Sequence, residues 1–350
     1  MHCSLERKLL VEPVNVFDYE ILAQARIEPS AWNYYASGSD DEVTLRTNRT
    51  AFERIRLRPR MLVDVSVCDM RTTVLGTSVS MPLLIAPTAF HCLVHPEGEC
   101  ATAQAAGRAD TLMVVSTSST RSLEEIAREA SGPLWFQLYI HDRKSAEELV
   151  HRAEVVGYRA LVLTVDSPRW GHKERAIRSG FRLPPHMHKA NFSDEDPTGI
   201  DAAFTWESLL WLRSVTSLQI VLKGILTAED AMLAVKHRVD GIIVSNHGGR
   251  QLDSVSASIE ALPEVIEAVN GYCEVYLDGG IRRGTDILKA LALGARAVLI
   301  GRPILWGLAV NGMEGVLHVL ELLRTELELA MVLAGHPTLH SIDCSLVKMI

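Results

Sequence analysis

Gly241-Ile242-Ile243-Val244-Ser245 is the stretch from which the fold can be read. It is apolar at almost every residue and rich in β-branched side chains. That composition suits a strand buried on both faces, as the strands of a parallel sheet are. Seven further runs share the pattern: Leu83 to Ala86, Met113 to Ser116, Trp135 to Tyr139, Ala160 to Val165, Ile220 to Lys223, Glu274 to Asp278 and Ala297 to Gly301. The intervening segments look helical. Ser122 with Glu125, and Ser145 with Glu148, have the spacing of a helix-opening capping box. Gly157, Gly271 and Gly294 stand where helices should stop. Eight strands, each followed by a helix, predict an α/β protein of the (β/α)8 TIM barrel type. The rival, a doubly wound open sheet, lacks a G-x-G-x-x-G after an early strand.

Residues 1–75 precede the first strand and read as an N-terminal helical extension packed on the barrel, with apolar periodicity through Phe17, Leu22 and Trp32. The barrel then occupies 76–350. More than one helix's worth of chain separates the fourth and fifth strands. The stretch at about 167–205 is therefore expected to be a long, lid-like loop over the active site, with a surface excursion as the alternative. The 350 residues carry 35 Lys plus Arg against 43 Asp plus Glu, a formal charge of −8, with 47% apolar and 22% charged residues. An acidic chain without a basic block argues against nucleic-acid binding. No apolar run is long enough for a membrane span, and the segment Met1 to Glu12 lacks the core of a signal peptide. The cysteines Cys3, Cys68, Cys92, Cys100, Cys273 and Cys344 form no C-x-x-C pair, so reduced thiols and no metal site are expected.

In such a barrel, functional residues belong at the carboxyl ends of the strands. Polar residues collect at those positions: Pro87-Thr88-Ala89, Ser116, Gln137 with Tyr139, Thr164 with Asp166, Lys223, Ser245 to Asp253, Asp278 to Arg283, and Gly301-Arg302. A lone histidine is more often structural. His247, however, is flanked by Gly248-Gly249-Arg250, and it reads as a proton acceptor beside a guanidinium able to hold a carboxylate by two hydrogen bonds. Asp278-Gly279-Gly280-Ile281-Arg282 and Gly301-Arg302 follow the last two strands, the usual phosphate site of this fold; tight turns are the plainer reading. Lys223 closes an apolar strand and needs an anionic partner, either a structural carboxylate or a cofactor that gains negative charge.

At these residues the chain resembles the FMN-dependent α-hydroxy-acid oxidases, a family that includes glycolate, lactate and long-chain hydroxy-acid oxidases. The signature is Ser245-Asn246-His247-Gly248-Gly249-Arg250-Gln251-Leu252-Asp253. The similarity runs from Tyr19 nearly to the C-terminus, through Tyr34-Tyr35-Ala36-Ser37-Gly38, Ile85-Ala86-Pro87-Thr88-Ala89, Trp135-Phe136-Gln137-Leu138-Tyr139, Thr164-Val165-Asp166 and Leu277-Asp278-Gly279-Gly280. The resemblance implies FMN-dependent oxidation of (S)-2-hydroxy acids to 2-oxo acids, with O2 reduced to H2O2. In it His247 takes the substrate proton and Asp166 steadies the imidazolium. Arg250 and Tyr34 hold the carboxylate, and Tyr139 the hydroxyl. Pro87, Thr88, Ala89, Ser116, Gln137, Thr164 and Ser245 lie at or near the flavin ring. Lys223 stabilises the reduced flavin, and Asp278, Gly280, Arg282, Gly301 and Arg302 bind its ribityl phosphate.

Five departures stand out. Lys173 occupies a place where many relatives carry a carboxylate-binding arginine, so either carboxylate binding is weaker or Arg175 takes the role. Ser118 replaces the tryptophan of glycolate oxidase and should widen the pocket. Asp110 and Ser254 replace glycines, and a positive φ at Asp110 would strain its turn. The loop after the fourth strand is shorter than in glycolate oxidase. The resemblance also implies a homotetramer. The tail Lys348-Met349-Ile350 is a poor peroxisomal address, so a cytoplasmic location is expected, or a peroxisomal one in a eukaryote. Two other activities fit the same residues: a dehydrogenase that passes electrons to a quinone or cytochrome, and an FMN-binding barrel with weak or lost turnover.

Overall fold

The computed structural model describes residues 12–192 and 199–350. Cys3, most of the Met1 to Glu12 segment and part of the loop at 167–205 lie outside these residues. All eight apolar runs form strands: β1 (Leu83–Ile85), β2 (Met113–Ser116), β3 (Leu134–Leu138), β4 (Ala160–Thr164), β5 (Gln219–Ile225), β6 (Gly241–Val244), β7 (Glu274–Asp278) and β8 (Ala297–Ile300). They pair in parallel and close in the order β7-β8-β1-β2-β3-β4-β5-β6. Alternate side chains divide between two cores, as the two-residue period of a strand requires. Leu84, Val114, Trp135, Val162, Val221, Ile243, Tyr276 and Leu299 fill the barrel interior. Leu83, Ile85, Val115, Phe136, Leu161, Leu222, Ile242 and Leu277 face the surrounding helices.

Three short helices precede the barrel: α1 (Val16–Gln24), α2 (Pro29–Ala36) and α3 (Val43–Glu53). The side chain of Asn15 caps α1 by accepting from the amides of Phe17 and Asp18. The buried face of α1 is Val16, Tyr19 and Ala23, whereas Phe17 is 37% exposed. Leu22 is half-buried, and Tyr19, hydrogen-bonded to His318 at 2.8 Å, lies on the buried face. Trp32 does pack inward, its ring 4.5 Å from that of Trp306. Both partners lie on the last helical segment, Arg302–Ala334, which breaks at Asn311 and Gly312.

The extension is not wholly helical. Ile55–Leu57 pairs antiparallel with Val347–Met349, tying the two ends of the domain together. A hairpin, Thr72–Val74 with Thr77–Val79, inserts Val74 and Val79 into the interior core at the amino end of the barrel. Ser122 and Glu125 form the expected capping box, but the next helix starts earlier than read. Asp142, not Ser145, is its cap, accepting from the Ser145 amide at 3.0 Å. The glycines at 157, 271 and 294 take φ of 90°, 78° and 103° and end their helices as expected. Asp110 and Ser254 indeed have positive φ, 48° and 63°. Between β4 and β5 the described chain holds two helices, Glu174–Arg178 and Ser208–Val215, and is otherwise irregular. No helix of the described residues is long and apolar enough to cross a membrane.

Candidate active site

A cavity of about 380 Å³ opens at the carboxyl end of the barrel. Of the residues given a catalytic, substrate or cofactor role from the sequence, all line it except Asp166 and Ser245, which stand directly behind His247, and the alternative cation Arg175. A larger groove, about 1250 Å³, lies at the opposite end around Thr72, Gly132, Glu274 and Arg296, far from this polar set. Chemistry therefore concentrates in the smaller cavity, within the usual size range of ligand sites.

His247 follows β6 in left-handed backbone (φ 58°), and Gly248 and Gly249 continue that turn at 63° and 74°. The turn lifts the imidazole into the cavity. Its shape is held by Asn246, whose side-chain oxygen accepts from the Gly249 amide at 3.1 Å. Asn246 also exchanges two 2.8 Å hydrogen bonds with Asn48 of α3, so the extension braces this turn. His247 Nδ1 lies 2.9 Å from Asp166 Oδ1. With Nδ1–H donated to that carboxylate, Nε2 keeps a lone pair, 3.4 Å from the Tyr139 hydroxyl. Burial lowers the His247 pKa; Asp166 opposes this and Lys223 adds to it, so the imidazole is neutral at pH 7. Burial alone would raise the Asp166 carboxyl, but His247, Lys223 and hydrogen bonds from His247 and Ser167 outweigh it, and the net shift is downward. Gly224 (φ 115°) makes this placement possible, since a Cβ there would come within 2.6 Å of Asp166 Cβ.

The buried Lys223 ends the apolar part of β5 and donates to Ser245 Oγ at 2.9 Å. It also pairs with Asp278 Oδ2 at 3.2 Å. Both readings of this lysine thus meet: it has a structural carboxylate and still lines the cavity. Ser245 Oγ accepts in addition from the His247 amide at 3.0 Å. Ser116, Gln137 and Thr164 form a fixed row across β2, β3 and β4. Ser116 Oγ donates to Gln137 Oε1 at 3.2 Å, and Gln137 Nε2 donates to Thr164 Oγ1 at 3.0 Å.

Arg250 Nη1 donates to the carbonyls of Tyr34, Tyr35 and Ser37 at 2.7, 3.2 and 3.0 Å, and its guanidinium stands 5.1 Å over the Tyr34 ring. Lys173 lines the cavity and Arg175 does not. Arg175 instead meets Glu42 at 2.7 Å and the Ala36 carbonyl at 2.8 Å. Burial, helped by Arg250, brings the Lys173 pKa down to about 8.

The residues present fit a bound flavin phosphate. Arg282 is buried and Arg302 half-buried, and no carboxylate pairs with either among the described residues. Burial lowers the pKa of both; Arg250 and Arg282 add to the effect at Arg302, whereas at Arg282 Glu20 and Asp286 oppose it and Arg49 adds to it. Such cations call for an anion. Arg302 is also a clamp, donating to the Tyr35, Gly248 and Ser37 carbonyls at 2.8, 3.0 and 3.0 Å. Gly301 begins the helix Arg302–Ala334 with no side-chain cap, leaving amide donors at the cavity. Asp278 Oδ1 is buried without a partner, an acceptor suited to a ribityl hydroxyl. Gly280 (φ 85°) lies so close to α3 that a Cβ would come 2.0 Å from the Asn48 carbonyl oxygen.

Sequence reasoning did not single out Phe90, Trp170 or Lys189, which line the same cavity. Trp170 stands edge-on to Tyr139 with ring centroids 5.3 Å apart, and Phe181 stacks on Tyr34 at 4.3 Å. Loop residues such as these carry no periodic signal; Phe90 follows β1, and Trp170, Phe181 and Lys189 follow β4.

Comparison with known proteins agrees with this geometry. A family profile described as FMN-dependent dehydrogenase matches residues 23–349. An L-lactate oxidase from Nostoc sp. is 53% identical over 96% of this chain and 98% of its own length. Glycolate oxidase from Spinacia oleracea is 48% identical, over 96% and 95%. Among solved structures, a soluble mutant of the membrane-associated (S)-mandelate dehydrogenase from Pseudomonas putida superposes with a TM-score of 0.94 at 40% identity, covering 97% of this chain and 100% of that one. A mandelate oxidase bound to (S)-2-phenylpropionate gives 0.90 at 45% identity, with 96% and 98% covered.

Proposed function

The chain belongs to the FMN-dependent dehydrogenase family, and from that premise we propose that it oxidises (S)-2-hydroxy acids to 2-oxo acids with FMN as cofactor and O2 as the final acceptor. The observation that carries this reading is the 2.9 Å pairing of His247 with Asp166 at a cavity that Arg250, Lys173, Arg282 and Arg302 also line. FMN, when bound, supplies the two-electron acceptor. The substrate loses two electrons and two protons, and reduction of O2 to H2O2 balances them.

The protein's own groups do the rest. Lys173 and the guanidinium donors of Arg250 left over from the backbone carbonyls hold the carboxylate. Tyr139 hydrogen-bonds the substrate hydroxyl beside His247 Nε2, which accepts the proton. Asp166 then faces an imidazolium at 2.9 Å and stabilises it. Lys223 offers positive charge to a cofactor that has gained electrons. Ser118 leaves room beside Trp170 and Phe90 for a side chain larger than that of glycolate, in keeping with the lactate and mandelate enzymes among the relatives. The similarity to (S)-mandelate dehydrogenase favours a second reading, transfer to an acceptor other than O2. Oxygen uptake with (S)-lactate, without added acceptor, separates the two. Self-association is part of the same proposal. Met61, Leu62 and Val67 are exposed beside the end of the last helical segment, where Leu329 and Leu333 are exposed too. Light scattering of the purified protein tests it, and a monomer refutes it.

A further inference from the structure

Gln251 stands in the signature stretch after β6, yet the chemistry above gives it no part. It is buried, and its whole side-chain amide is spent on one segment of the loop after β4. Its Nε2 donates to the Asp166 and Arg169 carbonyls at 3.0 and 3.1 Å. Its Oε1 accepts from the Gly171 amide at 2.8 Å. The orientation of the amide is thereby fixed, because a carbonyl only accepts and a backbone N–H only donates.

The segment it grips, residues 165–173, lies between β4 and the helix Glu174–Arg178 and has no regular structure. Backbone polar groups in such chain need partners from elsewhere, and Gln251 supplies three. The Arg169 carbonyl and the Gly171 amide belong to the two peptide bonds that flank Trp170. One side chain therefore holds this residue from both sides. Gly171 permits the close approach, since a Cβ there would lie 2.2 Å from the Arg250 carbonyl oxygen and 2.8 Å from Gln251 Cα. Trp170 lines the cavity and meets the Tyr139 ring edge-on. Its side chain is 47% exposed, so packing alone holds it weakly and its backbone must be fixed.

The consequences of this grip can be told apart. Asp166 orients His247, and Lys173, which donates to the Gly171 carbonyl at 3.2 Å, serves the substrate carboxylate. A loss at either falls on every 2-hydroxy acid alike. Trp170 matters only to an acid whose side chain reaches it.

We propose that Gln251 is a positioning residue that fixes Trp170 as a wall of the substrate cavity and so sets the preference for longer side chains over that of glycolate. The inference rests on the 2-hydroxy-acid reading given above. Once free to move, the indole gives up apolar contact with a long side chain, whereas glycolate has no such contact to lose.

The test has two readouts on the holoenzyme. Gln251→Met keeps an unbranched chain of similar length and removes all three hydrogen bonds. Hydrogen exchange, followed by mass spectrometry, should quicken about tenfold in the peptide covering 166–173 and stay unchanged in β1 to β3. The ratio of kcat/KM for 2-hydroxyoctanoate to that for glycolate should fall about tenfold. Trp170→Ala should lower this ratio as well, and adding Gln251→Met to it should lower the ratio no further, because the amide acts through the indole. Unchanged exchange, an unchanged ratio, or a second tenfold fall in the double variant overturns the proposal. Should Gln251→Met not fold, Gln251→Glu decides. It keeps an acceptor for the Gly171 amide but turns an oxygen toward the two carbonyls, so the ratio should fall there too, and a native ratio overturns the claim. Faster exchange in a protein that no 2-hydroxy acid reduces sinks the substrate reading alone.

Discussion

Replacing Asp166 by asparagine removes one negative charge and leaves the shape of the site in place. Gln251 Nε2 donates to the Asp166 backbone carbonyl, which the substitution retains. An asparagine oxygen still accepts from His247 Nδ1–H. What disappears is the attraction between carboxylate and imidazolium once His247 has taken its proton. At the observed 2.9 Å, an effective dielectric of about 20 gives about 6 kcal/mol as a ceiling. Hydrogen bonds to charged groups are worth up to about 3 kcal/mol net, which sets the central expectation. The bleaching rate should therefore fall about a hundredfold, with about ten-thousandfold as the limit. Anaerobic stopped-flow mixing with saturating (S)-lactate reads this step, and the flavin spectrum before mixing confirms that FMN is still bound. A second signature has the opposite sense. Asp166 raises the His247 pKa against the effect of burial. Its loss lowers that pKa further, so the acid limb of kcat/KM should move to lower pH while the rate falls. A variant that keeps more than a tenth of the native rate, or whose acid limb moves upward, refutes the reasoning.

Other consequences can be checked in the same preparations. Lys173 titrates near pH 8 rather than at its ordinary higher value, so its charge is present below pH 8 and lost above it. The KM for (S)-lactate should accordingly rise above pH 8 in the native protein and stay flat in Lys173→Arg, as steady-state profiles over pH 7 to 9.5 would reveal. Ser118→Trp should fill the widened corner, reducing kcat/KM at least tenfold for 2-hydroxyoctanoate while changing that for glycolate less than threefold (about 0.7 kcal/mol). Gly280→Ala forces a methyl group against the Asn48 carbonyl oxygen at a left-handed position, and FMN affinity, followed by flavin fluorescence, should weaken at least tenfold. Asp110→Gly relieves a positive φ and should stabilise the fold by up to about 1 kcal/mol in thermal unfolding, with kcat unchanged.

The barrel was legible because strands buried on both faces leave an unbroken apolar run. Met113–Ser116 and Glu274–Asp278 match their expected boundaries, and the other six differ by one to three residues at their ends. The strand-end rule then placed most of the site, since it links position along a strand to position in space. Three-residue strands such as Ile55–Leu57 and Thr72–Val74 are too short to show a period, and they exist because distant segments pair with them. In α1 the buried Tyr19 meets His318 of the last helical segment, a tertiary contact that no local pattern announces. Arg175 and Lys173 could not be separated by spacing alone. Only the ion pair between Arg175 and Glu42 shows which cation is left for the cavity. Trp170 and Phe181 belong to irregular chain, where contacts rather than local pattern determine position.

The most direct test of the central claim is an anaerobic titration of the purified yellow protein with (S)-lactate, glycolate and 2-hydroxyoctanoate, followed by admission of air. The account predicts that at least one acid bleaches the flavin band with formation of the 2-oxo acid, and that air restores the band with one equivalent of peroxide. A flavin that none of the three acids reduces would contradict it.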